Sequence, residues 1–118
     1  MSAPSPLGTV LLVATAVACN ALAQFLMKRA AVADAFSLRH WLAPDLLLAL
    51  GLYGVSFLVT ALAYARLPLS LASPLMAGAV FVLVSLMSVV FLAESLGPLR
   101  LAGMACIVLG IALLVWSA

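Results

Sequence analysis

Four stretches of this chain are long and apolar enough to cross a lipid bilayer, and little is left over once they are set aside. They cover about 7–27, 46–65, 69–92 and 99–116, and a helix needs roughly 20 apolar residues to traverse the hydrocarbon core. Of all 118 residues only 7% are charged and 69% are hydrophobic, whereas a water-soluble domain carries about 25% charged residues. The expected fold is therefore all-α: a polytopic membrane protein with four transmembrane helices, forming a single domain over 1–118. The net charge of +2 includes no basic cluster able to track a phosphate backbone, which excludes nucleic acid as a partner.

Prolines punctuate the runs. Pro44, Pro68 and Pro98 each stand just before one, where a missing N–H would be unpaired in any case. Connections two and three, spelled RLP and AESLGP, are tight and require antiparallel neighbours. The first connection, from Lys28 to Asp45, is longer and holds most of the charge, with Arg39, His40 and Trp41 reading as an interfacial anchor. The ALA ahead of Gln24 looks like a signal-peptidase site. However, no Lys or Arg precedes it and the apolar stretch is too long, so the first run is taken as a span. Lys28, Arg29, Arg39 and Arg100 fall on the side of connections one and three, and Arg66 alone falls on the side of the termini. Positive residues favour the cytoplasmic face, which places both termini outside.

Inside the runs the polar side chains recur at helical spacing. Asn20 and Gln24 lie four residues apart on the first helix, with Lys28 one turn further on. At about 1.5 Å rise per residue, Asn20 is about 12 Å deeper than Lys28, so the three form a descending polar staircase. The second helix carries Tyr53, Ser56, Thr60 and Tyr64 on one face, and the third carries Ser70, Ser73, Ala77 and Ser88. Such groups can simply hydrogen-bond between helices, each bond being worth about 0.6–2 kcal/mol. Three aligned stripes on three helices are more than packing needs, and polar side chains in lipid face a protein interior or a wet cavity. A polar cleft through the bundle is expected.

Pro74 and Gly78 interrupt the first half of the third helix and suggest a kink around which a bundle can rock. On the fourth helix Gly103, Cys106, Gly110 and Ser117 make a small-residue stripe without polar companions. Such stripes let helix backbones approach closely, and here they point to a second subunit. Cys19 and Cys106 lie within apolar runs and read as packing residues rather than a disulfide or metal site. The acids Asp34, Asp45 and Glu94 stand at or near the membrane edges. With one histidine, no nucleophile–base set and no phosphate-cradling glycine loop, neither catalysis nor a cofactor is expected.

Three stretches carry a resemblance: AQFLMKRA closing the first helix, ALAYARLPLSLASPLMAG across connection two, and AESLGPLRLAGMACIVLGIALL through the fourth helix. Over nearly its whole length the chain resembles the four-helix members of the drug/metabolite transporter superfamily, which are small multidrug resistance-like and EamA-like proteins. Gly103 and Gly110 match the spacing through which small multidrug resistance proteins pair their fourth helices. Those exporters carry a membrane-embedded glutamate where this chain has Asn20, and aromatic residues where it has Ser73 and Met76. An amide exchanges no proton near neutral pH, and neither Ser nor Met offers an aromatic face, so proton-coupled drug export is not what the match implies. The aminoarabinose–undecaprenyl-phosphate flippase subunits are more similar, sharing Gln24 and Lys28 in an A/G-Q-x-x-x-K pattern, Pro74, and Glu94 closing the third helix. They commonly show a Tyr where this chain has Ser73.

That resemblance implies a transporter of the inner membrane that moves a polyprenyl-linked sugar between leaflets, while the small-residue stripe and the four-to-one charge bias point to a partner that is a second copy or an oppositely oriented paralogue. The expected cleft is lined by Asn20, Gln24, Tyr53, Ser56, Thr60, Tyr64, Ser73 and Met76, with Lys28 or Arg29 receiving the phosphate at its mouth. Two other readings stand beside it. One is a multidrug-type exporter of a cationic small molecule, for which Glu94 is the possible titrating acid. The other is a non-transporting accessory subunit.

Overall fold

The computed structural model describes residues 5–30 and 41–117 and folds them into helices without a strand among the described residues. In chain order these are α1 (Pro6–Ala30), α2 (Pro44–Tyr64), α3 (Leu69–Leu92) and α4 (Pro98–Ser117). All four are long and apolar enough to span a bilayer, so the chain is a multi-pass membrane protein. The expected spans fall within a few residues of these bounds. Asp34, Arg39 and His40 lie outside the described residues, and Trp41 is exposed.

Local chemistry fixes the helix ends. Ser5 caps α1: its Oγ accepts the Gly8 N–H at 3.0 Å and its carbonyl accepts the Thr9 N–H at 3.1 Å. Pro44 and Pro98 are the first residues of their helices rather than the residues before them, a position that suits proline's fixed φ. Pro68 caps α3, its carbonyl accepting the Ala72 N–H at 2.9 Å. α3 continues through Pro74 as one helix. It ends at Ala93, which adopts φ 54° and ψ 29°, a left-handed conformation that any residue with a Cβ resists. The turn brings the Glu94 N–H back onto the Ser88 carbonyl at 3.2 Å.

α1 is the central helix. It packs along α2 on one side and against α3 on the other, while α2 and α3 scarcely meet and α4 rests on α3. Small residues allow the close approaches. Ala16 and Val17 of α1 pack with Ala63 of α2 and Met76 and Val80 of α3, and Ala23 and Leu26 pack with Ala49 nearer the other end. Arg29 at the end of α1 lies beside Asp45 at the start of α2, so these two helices are antiparallel. Phe25 of α1 meets Phe91 of α3 with ring centroids 5.7 Å apart, so both ends face the same side and α1 and α3 run parallel.

α3 and α4 touch closely at Gly78. A Cβ built there would lie 2.5 Å from Ile111 Cδ1 and 3.1 Å from Ile107 Cγ2. Gly78 therefore serves close packing of α3 against α4. Gly103 and Gly110 face open space, and α4 buries no residue within the chain. Substituting Gly78→Leu is expected to lower stability by about 1–3 kcal/mol through overpacking, with partial recovery in the Gly78→Leu/Ile111→Ala pair. Gly103→Leu is expected to leave the monomer unaffected. Unfolding of the purified monomer in mixed micelles measures both.

Candidate functional site

Because α2 and α3 flank α1 without closing on each other, the face of α1 between them is left uncovered. That face carries Asn20 and Gln24. The resulting cleft of about 260 Å³ is lined from α1 by Asn20, Gln24, Ala16 and Val17, and from α2 by Ser56, Thr60 and Tyr64. α3 supplies Ser73, Met76, Ala77, Val80 and Phe81. Seven of the eight expected cleft residues meet here, and no Asp, Glu, Lys, Arg or His is among the lining.

The amides bond to each other. Gln24 Nε2 donates to Asn20 Oδ1 at 2.8 Å, as residues one helical turn apart can. This leaves the Asn20 N–H groups and the Gln24 carbonyl oxygen to serve whatever enters. Ser56 differs from its neighbours. Only 4% exposed, it donates its hydroxyl to the Ala16 carbonyl at 3.0 Å. Its hydroxyl proton is thus spent as a strut between α1 and α2, while the residue still lines the cleft. Thr60 is half-buried, Tyr64 and Ser73 are exposed, and all three side chains reach the cleft.

Tyr53 is not in this cleft. It lines an adjoining hollow with Gly54 and Phe57, and Asn20, Ser56 and Thr60 border both spaces. Ser70 is exposed and outside the cleft lining.

Toward the first connection the cleft gives way to a second recess of about 320 Å³ between α1 and α3. Gln24 borders both, and Lys28, Ser88 and Glu94 supply the recess with its polar groups. The staircase from Asn20 through Gln24 to Lys28 is thus lined by open space along its length. Arg29 stays out of it. Its Nε lies 3.9 Å from Asp45 Oδ2, and its guanidinium sits 5.9 Å from the centre of the Phe25 ring. Of the two cations expected at the mouth, Lys28 alone lines the space. Glu94 is outside the cleft proper, where its carboxylate accepts the Ser88 hydroxyl.

On the far side of α3, Pro74 and Gly78 line an apolar groove against α4 together with Gly110. Cys106 and Gly103 are exposed on α4, and Cys19 is half-buried and free. The lining residues that the sequence did not single out, Ala16, Val17, Val80 and Phe81, fall three or four residues beyond Asn20 and Ala77. Extending each stripe by four residues finds them.

Comparison with protein-family models, with curated proteins and with solved structures gives no match. The chemistry of the site is thus what informs its use. Ser56→Ala is expected to cost about 0.6 kcal/mol, the typical worth of a hydrogen bond between membrane helices. Thr60→Val, which removes a hydroxyl with no protein partner among the described residues, is expected to change stability by less than about 0.5 kcal/mol. Equilibrium unfolding in mixed micelles compares the two.

Proposed function

We propose that the chain is a small transporter subunit of flippase type, moving an amphiphile with a polar head, such as a polyprenyl-phosphate-linked sugar, across the inner membrane. The observation that carries this reading is the uncharged, hydrogen-bonding cleft that three apolar helices hold open. Amides and hydroxyls can take over the hydration of a sugar head group, while the tail stays in lipid because contact between α2 and α3 does not seal the cleft. A permanent charge at this depth would be unfavourable by at least about 2.5 kcal/mol. The phosphate would be received by Lys28 at the loop-side end of the path. The working unit is a pair, a second copy or an oppositely oriented paralogue. The contact would use α4, whose Gly103, Cys106 and Gly110 face has little cover within the chain.

Export of a cationic drug by proton exchange calls for a carboxylate that the substrate touches. Glu94, the only acid bordering either space among the described residues, is in the neighbouring recess and hydrogen-bonded to Ser88. That reading has less support.

Purified protein in liposomes, alone and with candidate partner chains, is expected to move a fluorescent polyprenyl-phosphate sugar between leaflets. Asn20→Leu and Gln24→Leu are each expected to slow this about tenfold, the effect of one lost hydrogen-bonding group at 1.4 kcal/mol. No movement with any partner refutes the proposal. Undiminished movement by a complex carrying both substitutions identifies the chain as a non-transporting accessory.

A further inference from the structure

The recess between α1 and α3 holds one cation and one carboxylate on opposite walls, and the two are not paired. Lys28 stands in the last turn of α1 and Glu94 just past the end of α3. Both line the same space. Among the described residues, Lys28 has no ion pair within 4.0 Å, the one such contact being Arg29 with Asp45.

Glu94 is placed where a carboxylate is least comfortable. The C-terminus of a helix carries the negative end of its dipole, which favours cations and repels anions. The left-handed turn at Ala93 nevertheless folds Glu94 back over the last turn of α3, where the Ser88 hydroxyl is its hydrogen-bond donor. Lys28 is suitably placed on the negative end of α1, yet among the described residues its ammonium has no carboxylate partner within 4.0 Å. A Lys28–Glu94 contact across the recess they both line would relieve both groups and would join the two helices flanking it.

Resting on the reading of Lys28 as the phosphate-binding group, we propose that Glu94 competes with the ligand's anionic group for Lys28. The Lys28–Glu94 pair then acts as a latch between α1 and α3. With the latch formed, the loop-side end of the path is narrowed and Lys28 is neutralised. An arriving phosphate takes the lysine, Glu94 returns to Ser88, and the recess opens toward Gln24 and the cleft. The ligand thereby operates its own entrance. The Ser88 hydroxyl is the group that keeps the open arrangement accessible.

A water-soluble carbodiimide joins an amine to a carboxylate only when the two are in contact, and peptide mapping by mass spectrometry identifies the pair. Applied to the full chain in nanodiscs, it is expected to produce a Lys28–Glu94 cross-link. Ser88→Ala is expected to raise the yield about fivefold, the factor one hydrogen bond is worth. Millimolar dodecyl phosphate is expected to suppress the cross-link in both proteins, while the uncharged dodecyl glucoside leaves it unchanged. Absence of the cross-link in Ser88→Ala, coupling of Lys28 to Asp45 instead, or a yield indifferent to dodecyl phosphate each overturns the inference. Transport is scored separately: a chain that latches and unlatches in this way but moves no polyprenyl sugar keeps the latch and loses the flippase reading.

Discussion

Everything in this structure is arranged around the two faces of α1 that carry small residues. Ala16 and Ala23 let α2 and α3 settle closely on α1 through Ala63, Ala49, Met76 and Val80. In lipid no hydrophobic force drives helices together, so close packing and a few hydrogen bonds must do so. The buried Ser56 hydroxyl on the Ala16 carbonyl is one of these bonds. Because both neighbours are drawn to α1 rather than to each other, a gap persists between them, and the third face of α1 is exposed to it. That face is where Asn20 and Gln24 stand. Polar lining and open space thus have one origin.

The distribution of charge follows the same logic. The polar groups of the cleft are amides and hydroxyls only, groups that can serve a polar ligand without the penalty an empty site would suffer around a bare ion. Charge appears one step further out, at Lys28 and Glu94 in the recess and at Arg29 with Asp45 on the surface between α1 and α2. The surface pair is exposed and contributes little stability, but it occupies Arg29 and leaves Lys28 as the cation facing the path. On the proposed function, a ligand approaching from that side would meet electrostatic attraction first and hydrogen bonding afterwards.

Much of this was legible in the sequence, because hydropathy and helical spacing are properties of single segments. The four spans follow from length and composition, and the stripes on three helices select seven of the cleft residues. What was not legible depends on which helix lies next to which. Tyr53 shares a helical face with Thr60, yet it borders a separate hollow because α3 does not reach that far around α2. Ser56 lines the cleft as its helical face suggests, but that its hydroxyl also ties α2 to the Ala16 carbonyl of α1 is a tertiary fact. Gly78 has the same character: only the presence of Ile111 distinguishes a glycine that loosens a helix from one that admits a neighbour.

Water in the cleft is the physical condition on which the account stands. In a background with Cys19 and Cys106 replaced by alanine, Thr60→Cys and Ser73→Cys can be exposed to a small charged thiol reagent in intact bilayers. A thiol reacts as its thiolate and so only where water reaches it. Both positions are expected to label at rates approaching that of a Ser95→Cys control beyond the end of α3, whereas Val108→Cys on the outward surface of α4 is expected to stay unlabelled. Silence at both Thr60→Cys and Ser73→Cys would mean a dry bundle, and would contradict a polar passage between α1, α2 and α3.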